Sequence, residues 1–545
     1  MKTPCDEGVM ASGRACVERR VTAAGLWILA ATILGSSMAF IDGTVVNVAV
    51  PTLQATFHAS VVDVQWVVEA YGIFLSSLIL AGGAFGDLFG RRRMFLTGVV
   101  VFAAASTACA FASSIHELII ARCVQGIGAA LLVPGSLAII SDCFDEASRG
   151  QAIGTWSGFT AITTAFGPLL GGWLIQYASW SWAFLLNVPL AVTVVAISLR
   201  HVPESRGGDA KQVDWLGALV ATAGLAGVVT GFLESARLGW ASPLVLASLF
   251  GGLLFLCVFW VVEARSRSPM VPLTLFRSRA FLGANLLTMF LYATIGIFFF
   301  LFPMDLIQVQ EYSATATGSA MLPMILSMFL LSRWSGGLVN RCGARIPLIF
   351  GPLIVALGFV LFAEMHARGS YWKTDFPASL VFGLGMAVTV APLTTVVMNS
   401  VDQQQAGTAS GINNAVARVA GVLAIAVFGS VMMKTFDSHL KQSLENLMLP
   451  SNIVQDIRSR EVELAGLEPP EGLDANTIVA IRGAISESFA AGFRVVLFCC
   501  AGLSIGSALV AWRLIAAAAI GGTSVPDRQA TARNDSTQNS NRYRR

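Results

Sequence analysis

Residues 29 to 51 read LAATILGSSMAFIDGTVVNVAVP, an apolar stretch long enough to cross a bilayer, with Asp42 near its centre. No other Asp, Glu, Lys or Arg occurs between Arg20 and Asp63. A carboxylate at the middle of a membrane costs roughly 2.5–3.5 kcal/mol on insertion scales, and residues of this kind usually have a function. The stretch therefore predicts a membrane-spanning helix that carries a functional acid.

The composition indicates an integral membrane protein. Hydrophobic residues make up 55% of the 545 residues and charged residues 12%, which is too little charge to cover a soluble protein of this length. The net charge of +3 gives no reason to expect a nucleic-acid partner. The first apolar run lacks a convincing cleavage site, so we expect it to remain as an uncleaved helix.

Apolar runs of about 20 residues, the length that crosses a bilayer as a helix, recur along the chain. They predict fourteen membrane helices, at about 25–50, 61–84, 94–114, 117–140, 148–176, 181–200, 214–233, 243–264, 281–307, 317–338, 346–366, 376–399, 405–433 and 490–515. Lys and Arg concentrate in the loops on one side, Arg91–Arg93 among them. Since cytoplasmic loops carry such an excess, we expect both termini to be cytoplasmic, with the protein in a cell inner membrane.

The two halves of the chain repeat each other at a spacing of about 252 residues. The aligned positions are Pro51 with Pro303, Gly83 with Gly336, Gly90 with Gly343, and Gly154 and Gly158 with Gly407 and Gly411. Transporters are often built from repeated halves, with the substrate handled between them near the middle of the membrane. Asp42 aligns with Thr294 and Glu69 with Met321, so neither acid is duplicated in the second half.

The repeat and the helices together predict the organisation of the chain. The predicted parts are a cytoplasmic tail (1–24), a six-helix bundle (25–200), a linker with two extra membrane helices (201–280), a second six-helix bundle (281–515) that includes an external loop (434–489), and a disordered cytoplasmic tail (516–545). The last part is rich in Thr, Ser, Asn and Arg, a composition that cannot bury much apolar surface.

Residues 83 to 93 read GAFGDLFGRRR and lie at the end of the second predicted helix. The glycines permit a tight turn between helices, and an acid such as Asp87 can sit against the positive N-terminus of a neighbouring helix. The three arginines also satisfy the positive-inside rule without any further role, and both interpretations stay open. A degenerate copy, GGLVNRCG, occupies residues 336 to 343.

This motif and its copy resemble the signature loop of the major facilitator superfamily. Three further segments extend the resemblance to fourteen-helix drug:proton antiporters of the EmrB/QacA type: Ile41–Pro51, Arg122–Gly128 and Gly158–Gly172. Where that family usually carries Trp-Arg-Trp, this chain has Ser181 between Trp180 and Trp182, so any role of the arginine is absent. The match runs from Trp27 to about Met433.

The resemblance implies an all-α integral membrane protein with the major facilitator fold, in which two linker helices join two six-helix bundles. It implies export of amphipathic organic compounds, drugs included, in exchange for protons, with the proton gradient as energy source and no cofactor. Asp42 would be the main protonation site, Arg122 its modulator and Glu69 a second acid.

Two further groups of residues take their roles from the resemblance. A cytoplasmic latch, whose pairing would bias the outward-open state, would consist of Gly83, Asp87, Gly90 and Arg91. The antiporter motif would prevent leakage through the protein and favour exchange over uniport. It would consist of Gly158, Gly167, Pro168, Gly171 and Gly172. Packing alone is the alternative for these glycines, because small residues let helices approach closely.

Arg122 is the only charged residue between Glu117 and Asp142, and arginine stays protonated in proteins. Close to Asp42 it would favour the carboxylate, and its withdrawal would let the acid take up a proton. Such a pair would couple protonation to conformation. A static ion pair that joins the first and fourth helices explains the same residues equally well.

Glu69 stands alone between Asp63 and Asp87. It can be a proton site, attract a cationic substrate, or extend to the outer interface from its place about two turns into the helix. Asp305 is expected at the outer interface. Residues predicted near a substrate cavity are Asn47, Gln125, Asn413, Asn414 and Arg418. For the Arg418 cluster, a structural role is the alternative.

Other classes of membrane protein find less support in the sequence. An ATP-driven pump needs a phosphate-binding loop that ends in Gly-Lys, and no lysine of this chain follows a glycine. A membrane enzyme would need clustered His, Asp or Glu at a membrane face. The histidines fall in predicted loops or at helix ends, and the cysteines show no metal-site spacing.

The open alternatives are a proton-coupled symporter, an exporter of one endogenous metabolite or lipid, and a receptor or channel. The expected partners are protons, an amphipathic cationic or neutral substrate and the lipid bilayer, with a periplasmic adaptor protein as an open option. We expect neither a metal nor a nucleic acid.

Overall fold

The computed structural model describes residues 5–144, 146–206, 214–266, 269, 271–364, 370–401, 406–447, 449–467, 469–470 and 473–515. The α-helices in these residues are α1 (Cys5–Phe57), α2 (Val61–Phe89), α3 (Arg91–Ala110), α4 (Ile115–Cys143), α5 (Glu146–Tyr177), α6 (Ser181–Leu185), α7 (Asn187–His201), α8 (Trp215–Leu238), α9 (Pro243–Arg265), α10 (Arg279–Met304), α11 (Ala314–Ala320), α12 (Leu322–Cys342), α13 (Arg345–Ala363), α14 (Asp375–Asn399), α15 (Ala406–Asn446), α16 (Ser451–Ser459) and α17 (Ala475–Leu514). Shorter helical segments are Leu273–Arg277, Asp305–Val309 and Glu461–Gly466.

Twelve helical stretches of the described chain are long and apolar enough to cross a membrane. The protein is therefore a multi-pass, all-helical membrane protein in the part that the structure describes. α5 and α12 were predicted as spans; both are helical, but neither is among the twelve. Both helices contain side chains that lie outside the described ones, so the count of twelve does not decide whether they cross the membrane. The number fourteen stays a prediction.

Several helix ends differ from those predicted. α1 starts at Cys5 rather than near residue 25, α15 continues to Asn446, and α17 starts at Ala475 rather than near residue 490. The predicted tail (1–24) and loop (434–489) are thus largely helical where described, while the tail 516–545 lies outside the described residues. Hydropathy marks where a chain leaves the bilayer, whereas a helix can continue beyond that point.

A polar cap defines the start of α17. Asp474 accepts a hydrogen bond from the Thr477 backbone nitrogen (3.1 Å), which satisfies a donor at the end of the helix. The hydrogen bonds with Thr477 also lower the pKa of Asp474 from its ordinary value. The cap is outside the apolar run, which explains why hydropathy alone placed this helix too late.

The sequence repeat is visible in the local structure. Ser60 accepts a backbone hydrogen bond at the start of α2, and Ser313 does the same at the start of α11. Gly90, between α2 and α3, has φ of +111°, and Gly343, between α12 and α13, has φ of +73°. Only glycine adopts such angles without strain, so the aligned glycines serve equivalent tight turns.

Helices α1–α7 form the first half of the protein, and helices α10–α17 form the second half. We call the side of the protein that carries Arg91–Arg93 the basic face. The halves contact each other near the opposite face. There Gln54, late in α1, accepts a hydrogen bond from Gln308 (3.1 Å) and donates one to the Glu463 carbonyl (2.7 Å). The segment Glu461–Gly466 therefore lies against both halves at this face.

Small residues bring α5 of the first half against α11 of the second. A methyl group at Gly172 would collide with the Ala314 carbonyl oxygen, and one at Gly318 with the Pro168 carbonyl oxygen. Further from the basic face, the Gln176 side chain accepts a hydrogen bond from a backbone nitrogen of α11 (3.2 Å). Close packing of this kind requires glycine at both positions.

α8 covers the line along which α2 meets α15. The Thr222 hydroxyl of α8 donates to the Ser77 hydroxyl of α2 (3.0 Å), and the Ser430 hydroxyl of α15 donates to the Phe232 carbonyl of α8 (2.8 Å). Apolar residues of the three helices form one buried cluster at this line. The helix between the two halves thus binds to both of them.

Candidate functional site

Asp42 on α1 pairs with Arg122 on α4 in the interior of the first half. Arg122 Nη1 lies 2.5 Å from Asp42 Oδ2, and each residue is only 1% exposed. The structure thus brings together the two charges that the sequence suggested as partners. Neither charge reaches solvent or lipid in this arrangement.

Two amide side chains complete the surroundings of the Asp42 carboxylate. Gln125 donates from Nε2 to Asp42 Oδ1 (2.8 Å) and accepts at Oε1 from Arg122 Nη1 (2.7 Å). Asn187 Nδ2 lies 3.4 Å from the same Asp42 oxygen and donates to the Ser106 hydroxyl (2.9 Å). Both carboxylate oxygens therefore have hydrogen-bond donors.

The Arg122 guanidinium has partners besides Asp42. Its Nε donates to the Val67 carbonyl (3.0 Å), and its Cζ lies 4.3 Å from the centre of the Tyr71 ring, within the range of a cation–π contact. Burying two ions is favourable only when further hydrogen bonds offset their desolvation. Such bonds are present here, and removing one ion would leave the other unpaired at a cost of about 3–5 kcal/mol.

Sequence reasoning missed Ser106, Asn187 and Tyr71 as members of this network. Tyr71 also donates a hydrogen bond to the Ala39 carbonyl (3.2 Å), which ties α2 to α1. Asn187 is a buried amide in an otherwise apolar span, and that isolation is a signal that could have found it. Gln125, predicted near the substrate cavity, is 0% exposed and belongs to this network instead.

Glu69 is enclosed where α2 meets α15. It is 0% exposed, and neither carboxyl oxygen has a hydrogen-bond partner among the described residues. Gln65 and Gly72 share its helix face, and both lie against α15. The alternative in which Glu69 extends to the interface is therefore wrong. Asp305, also expected there, is buried and accepts a hydrogen bond from Gln310 (2.7 Å).

The predicted latch residues meet on the basic face. Arg91 Nη2 lies 2.9 Å from Asp87 Oδ1, and Arg91 Nη1 lies 3.2 Å from Asp142 Oδ1 on α4. A methyl group at Gly90 would come within 2.6 Å of the Glu204 carboxylate, so the turn is crowded as well as left-handed. These partners of Arg91 all belong to the first half.

Gly83, the remaining latch residue, lies inside α2. A methyl group there would come within 3.7 Å of Pro134 on α4, an ordinary contact. The copy of the motif lies at the end of α12, where the side chains of Asn340 and Arg341 are outside the described ones. Gly83 is thus less constrained than Gly90.

The antiporter-motif glycines place α5 tightly against α1. A methyl group at Gly167 would collide with the Thr44 hydroxyl, and one at Gly171 would lie 2.7 Å from Val45 Cγ1. Gly158 lies in α5, but its surroundings are outside the description. Together with the Gly172 contact to α11, these glycines make α5 a close link between α1 and the second half.

Asn413 holds two helices of the second half together. Its Nδ2 donates to Asn285 Oδ1 (3.2 Å) and to the Thr288 hydroxyl (2.7 Å), both on α10. Sequence reasoning missed these two partners, which are buried polar residues near the start of a long apolar helix. In this structure the Asn413 amide joins α15 to α10.

Asn47, Asn414 and Arg418 border the space between the halves. Beside Gly43 on α1 no described atom lies within 4 Å of where a side chain would begin. Asn47, one turn later, has a buried Oδ1 without a partner, and Asn414 on α15 is exposed. Arg418 Cζ lies 5.5 Å from the centre of the Phe40 ring, across from one half to the other.

Comparison with known proteins gives a family. A model described as Major Facilitator Superfamily matches residues 32–216 and 215–425. The Multidrug resistance protein Stp of Mycobacterium tuberculosis is 33% identical over 503 residues, which cover 90% of this chain and 91% of that protein. The Tetracenomycin C resistance and export protein of Streptomyces glaucescens is 28% identical over 89% of this chain and 90% of its own.

A solved structure confirms the fold. The chain is similar to a bacterial homolog of the human lysosomal transporter Spinster in its inward-facing, unoccupied conformation, with a TM-score of 0.60. The match covers 90% of this chain and 98% of the other, at 17% sequence identity. At that identity the likeness concerns the arrangement of helices only.

Proposed function

This chain belongs to the Major Facilitator Superfamily, and on that basis we propose that it exports amphipathic organic compounds across the inner membrane in exchange for protons. Its similarity to multidrug and antibiotic resistance proteins supports the choice of substrates and direction. The observation that carries the proton coupling is the Asp42–Arg122 pair. An acid and a cation enclosed together in the membrane form a unit that protonation can open.

Asp42 is the proton carrier of the proposed cycle. In the present arrangement Arg122 is paired with the Asp42 carboxylate, and a proton that binds to Oδ2 would replace the ion pair with a neutral carboxyl group. On leaving Asp42, the guanidinium would keep the Gln125 amide oxygen and the Val67 carbonyl as acceptors. The pair can therefore open without leaving Arg122 unpartnered.

The helix that carries Asp42 can pass this change to the second half. α1 packs on α5 at Gly167 and Gly171, and α5 packs on α11 at Gly172. These contacts are so close that a shift of α1 displaces α5 and, through it, α11. Packed interfaces of this kind switch between discrete arrangements rather than deform gradually.

With both termini in the cytoplasm, as we propose, the basic face is the cytoplasmic one. The contacts of Gln54 and Gly172 then close the outer side, which corresponds to an inward-facing state. The Asp87–Arg91 pair is present in this state. Its pairing alone therefore does not impose the outward-open state that the resemblance implied for the latch.

We further propose that α5 and α12 also cross the membrane, which gives fourteen spans. Their 32 and 21 residues correspond to helices of about 48 and 31 Å, enough for a hydrocarbon core of about 30 Å. The bundles are then 25–200 and 281–515, with 201–280 as the linker. This arrangement is that of the EmrB/QacA type.

Glu69 is proposed as a second proton site, because its enclosure between α2 and α15 keeps substrates away from it. The symporter and the exporter of a single metabolite or lipid differ from the proposal in direction or range of substrate. No observation in the structure favours either. The periplasmic adaptor stays a prediction.

Proton release from inverted vesicles tests the proposal. The vesicles contain the native chain and an acidified lumen with a pH-sensitive dye, and amphipathic anions, neutral compounds and cations are added outside in turn. We expect an active compound to enter the lumen as protons leave it. Asp42→Asn should abolish this release, because an amide cannot carry the proton.

Asp305→Asn is the matched control, since Asp305 is another buried acid but lies in the second half without an arginine partner. It should keep most of the proton release. Release that persists in Asp42→Asn would move the proton site elsewhere. Compound-driven proton uptake together with the compound would establish symport instead.

A further inference from the structure

The space between the two halves is bordered on α1 by one helix face. Phe40, Gly43 and Asn47 recur at intervals of three and four residues and therefore share this face. Among the described residues, no atom of another helix lies within 4 Å of where a side chain at Gly43 would begin. This face can therefore receive the apolar part of a ligand.

Arg418 enters the same space from α15. It is partly buried, and Asn414, one turn earlier, is exposed. Its Cζ lies 5.5 Å from the centre of the Phe40 ring. None of the ion pairs formed by the described side chains includes Arg418. Arginine cannot lose its proton in a protein, so a full positive charge stands there without a carboxylate.

The acids that could balance this charge are engaged or enclosed. Asp42 is paired with Arg122 at 2.5 Å, so these two charges cancel. Glu69 is 0% exposed inside the contact of α2 with α15. The charge that the central space offers to a ligand is therefore positive. The sequence-based expectation of a cationic or neutral substrate did not take this cancellation into account.

We propose that Arg418 is the anion-binding residue of the transport cavity and that the exported compounds carry an acidic group, a carboxylate, phosphate or sulfonate, on an apolar body. This inference rests on the proposed export function. The acidic group pairs with the planar guanidinium, which matches carboxylate and phosphate oxygens in pairs. The apolar body lies along the Phe40 face.

An ion pair between Arg418 and the acidic group of the ligand would raise the binding affinity strongly. Hydrogen bonds to charged groups correspond to roughly tenfold or more in binding. The same chemistry is offered by a dissolved organic acid and by the headgroup of an anionic lipid. Both are amphipathic anions, and their source can be separated experimentally.

The test measures binding of pyrenebutyrate, its neutral amide and the corresponding pyrenebutylamine to the purified full chain in phosphatidylcholine nanodiscs, with empty nanodiscs as background. These probes share one apolar body and differ in charge. We expect the carboxylate to bind about tenfold tighter than the amide, with the amine weakest. Arg418→Gln should remove the preference for the carboxylate while leaving binding of the amide nearly unchanged, and Arg418→Lys should retain part of it.

Arg513→Gln is the matched control, because Arg513 also lies near an aromatic ring (5.9 Å from Trp512) but is on α17 near the basic face. It should leave all three affinities unchanged. The inference is overturned if the native chain binds none of the probes or binds the amide or amine as tightly as the carboxylate. It is also overturned if Arg418→Gln weakens all three equally.

Phosphatidylglycerol in the nanodiscs separates the two sources of the anion. Competition with pyrenebutyrate in the native chain, absent in Arg418→Gln, supports the site and identifies a lipid headgroup as an occupant. Lack of competition with the preference for pyrenebutyrate intact supports a dissolved acid. Carboxylate binding without proton release in vesicles would refute antiport alone, whereas release driven by the amine and not the carboxylate would refute the anion site alone.

Discussion

The two halves share an architecture and differ in chemistry. α1 and α10 are equivalent in the repeat, and each has a proline near its end, Pro51 and Pro303. Where α1 carries Asp42 in a charged network, α10 carries Thr294, whose hydroxyl donates to a carbonyl of its own helix (2.6 Å). Asp42 thus interacts with side chains of other helices, whereas the Thr294 hydroxyl bonds within its own helix.

The surroundings of Thr294 differ accordingly. Phe298, one turn later, stacks on Phe302 at 4.8 Å and on Phe382 at 5.3 Å. An aromatic core of this kind is stabilised by burial and ring contacts, whereas the core around Asp42 depends on paired charges. The repeat therefore supplies a symmetrical frame, and among the described residues the buried ion pair belongs to one half of it.

Arg122→Ala is expected to have the largest effect on stability. It leaves Asp42 buried without its cation and should lower the free energy of unfolding by about 3–5 kcal/mol. Arg418→Ala, in the other half, removes a cation that has no carboxylate partner and should cost far less. Thermal unfolding of the purified full chain measures both.

Adding Asp42→Ala to Arg122→Ala should recover part of the loss, because no unpaired ion remains. A double variant that is less stable than Arg122→Ala would contradict this account of the pair. If Arg122→Ala prevents folding and the double variant folds without transport, the pair is a structural as well as a coupling element.

Gly167→Ala should have the next largest effect on stability. The added methyl group collides with the Thr44 hydroxyl of α1, and overpacking costs about 1–3 kcal/mol. Gly43→Ala is the matched control, since its methyl group would enter open space and alanine favours a helix. Equal melting temperatures of the two variants would contradict the tight contact between α5 and α1.

Removal of either of the two equivalent helix caps should have a smaller effect on stability, and the two effects should differ in size. Ser60→Ala and Ser313→Ala each remove a side-chain acceptor at a helix start, at a cost of about 0.5–2 kcal/mol. The Ser60 hydroxyl also donates to Asp63 Oδ2 (2.6 Å), a hydrogen bond that alanine cannot make. Ser60→Ala should therefore cost more, and the reverse order of melting temperatures would count against equivalent capping.

Glu69→Gln should change stability least, by about 0.5 kcal/mol or less, because the carboxyl group has no hydrogen bond to lose. Its effect should be on transport. Since Glu69 is enclosed between α2 and α15, we expect export of every transported compound to fall by the same factor, whatever its charge. Loss confined to one charge class would instead show that Glu69 senses the substrate.

Features that depend on local composition could be predicted from the sequence. Hydropathy placed α4 at 117–140, close to the observed Ile115–Cys143. Asp42 and Arg122 stood out because a lone charge in an apolar run is rare and costly. The tight turn at Gly90 was predictable for the same local reason, since it needs a residue that tolerates positive φ.

Features that depend on how helices rotate against each other could not be predicted from the sequence. Ser106 is uncharged and common enough in spans, so only the packing of α3 against α4 and α7 shows that it contacts Gln125 and Asn187, the partners of Asp42. The enclosure of Glu69 is created by α15, far away in the chain, and hydropathy around α2 carries no trace of it. The open position of Arg418 likewise depends on contacts between the halves.

The most direct test of the central claim is a count of protons released when substrate binds to the purified full chain in weakly buffered solution, with no membrane potential present. The compound used is one that drives proton release in the vesicles. Binding to the acid-loaded native chain should release protons, Asp42→Asn should release none, and Glu69→Gln should still release some. Equal release from the native chain and Asp42→Asn would contradict the account, because the proton would then leave from another group.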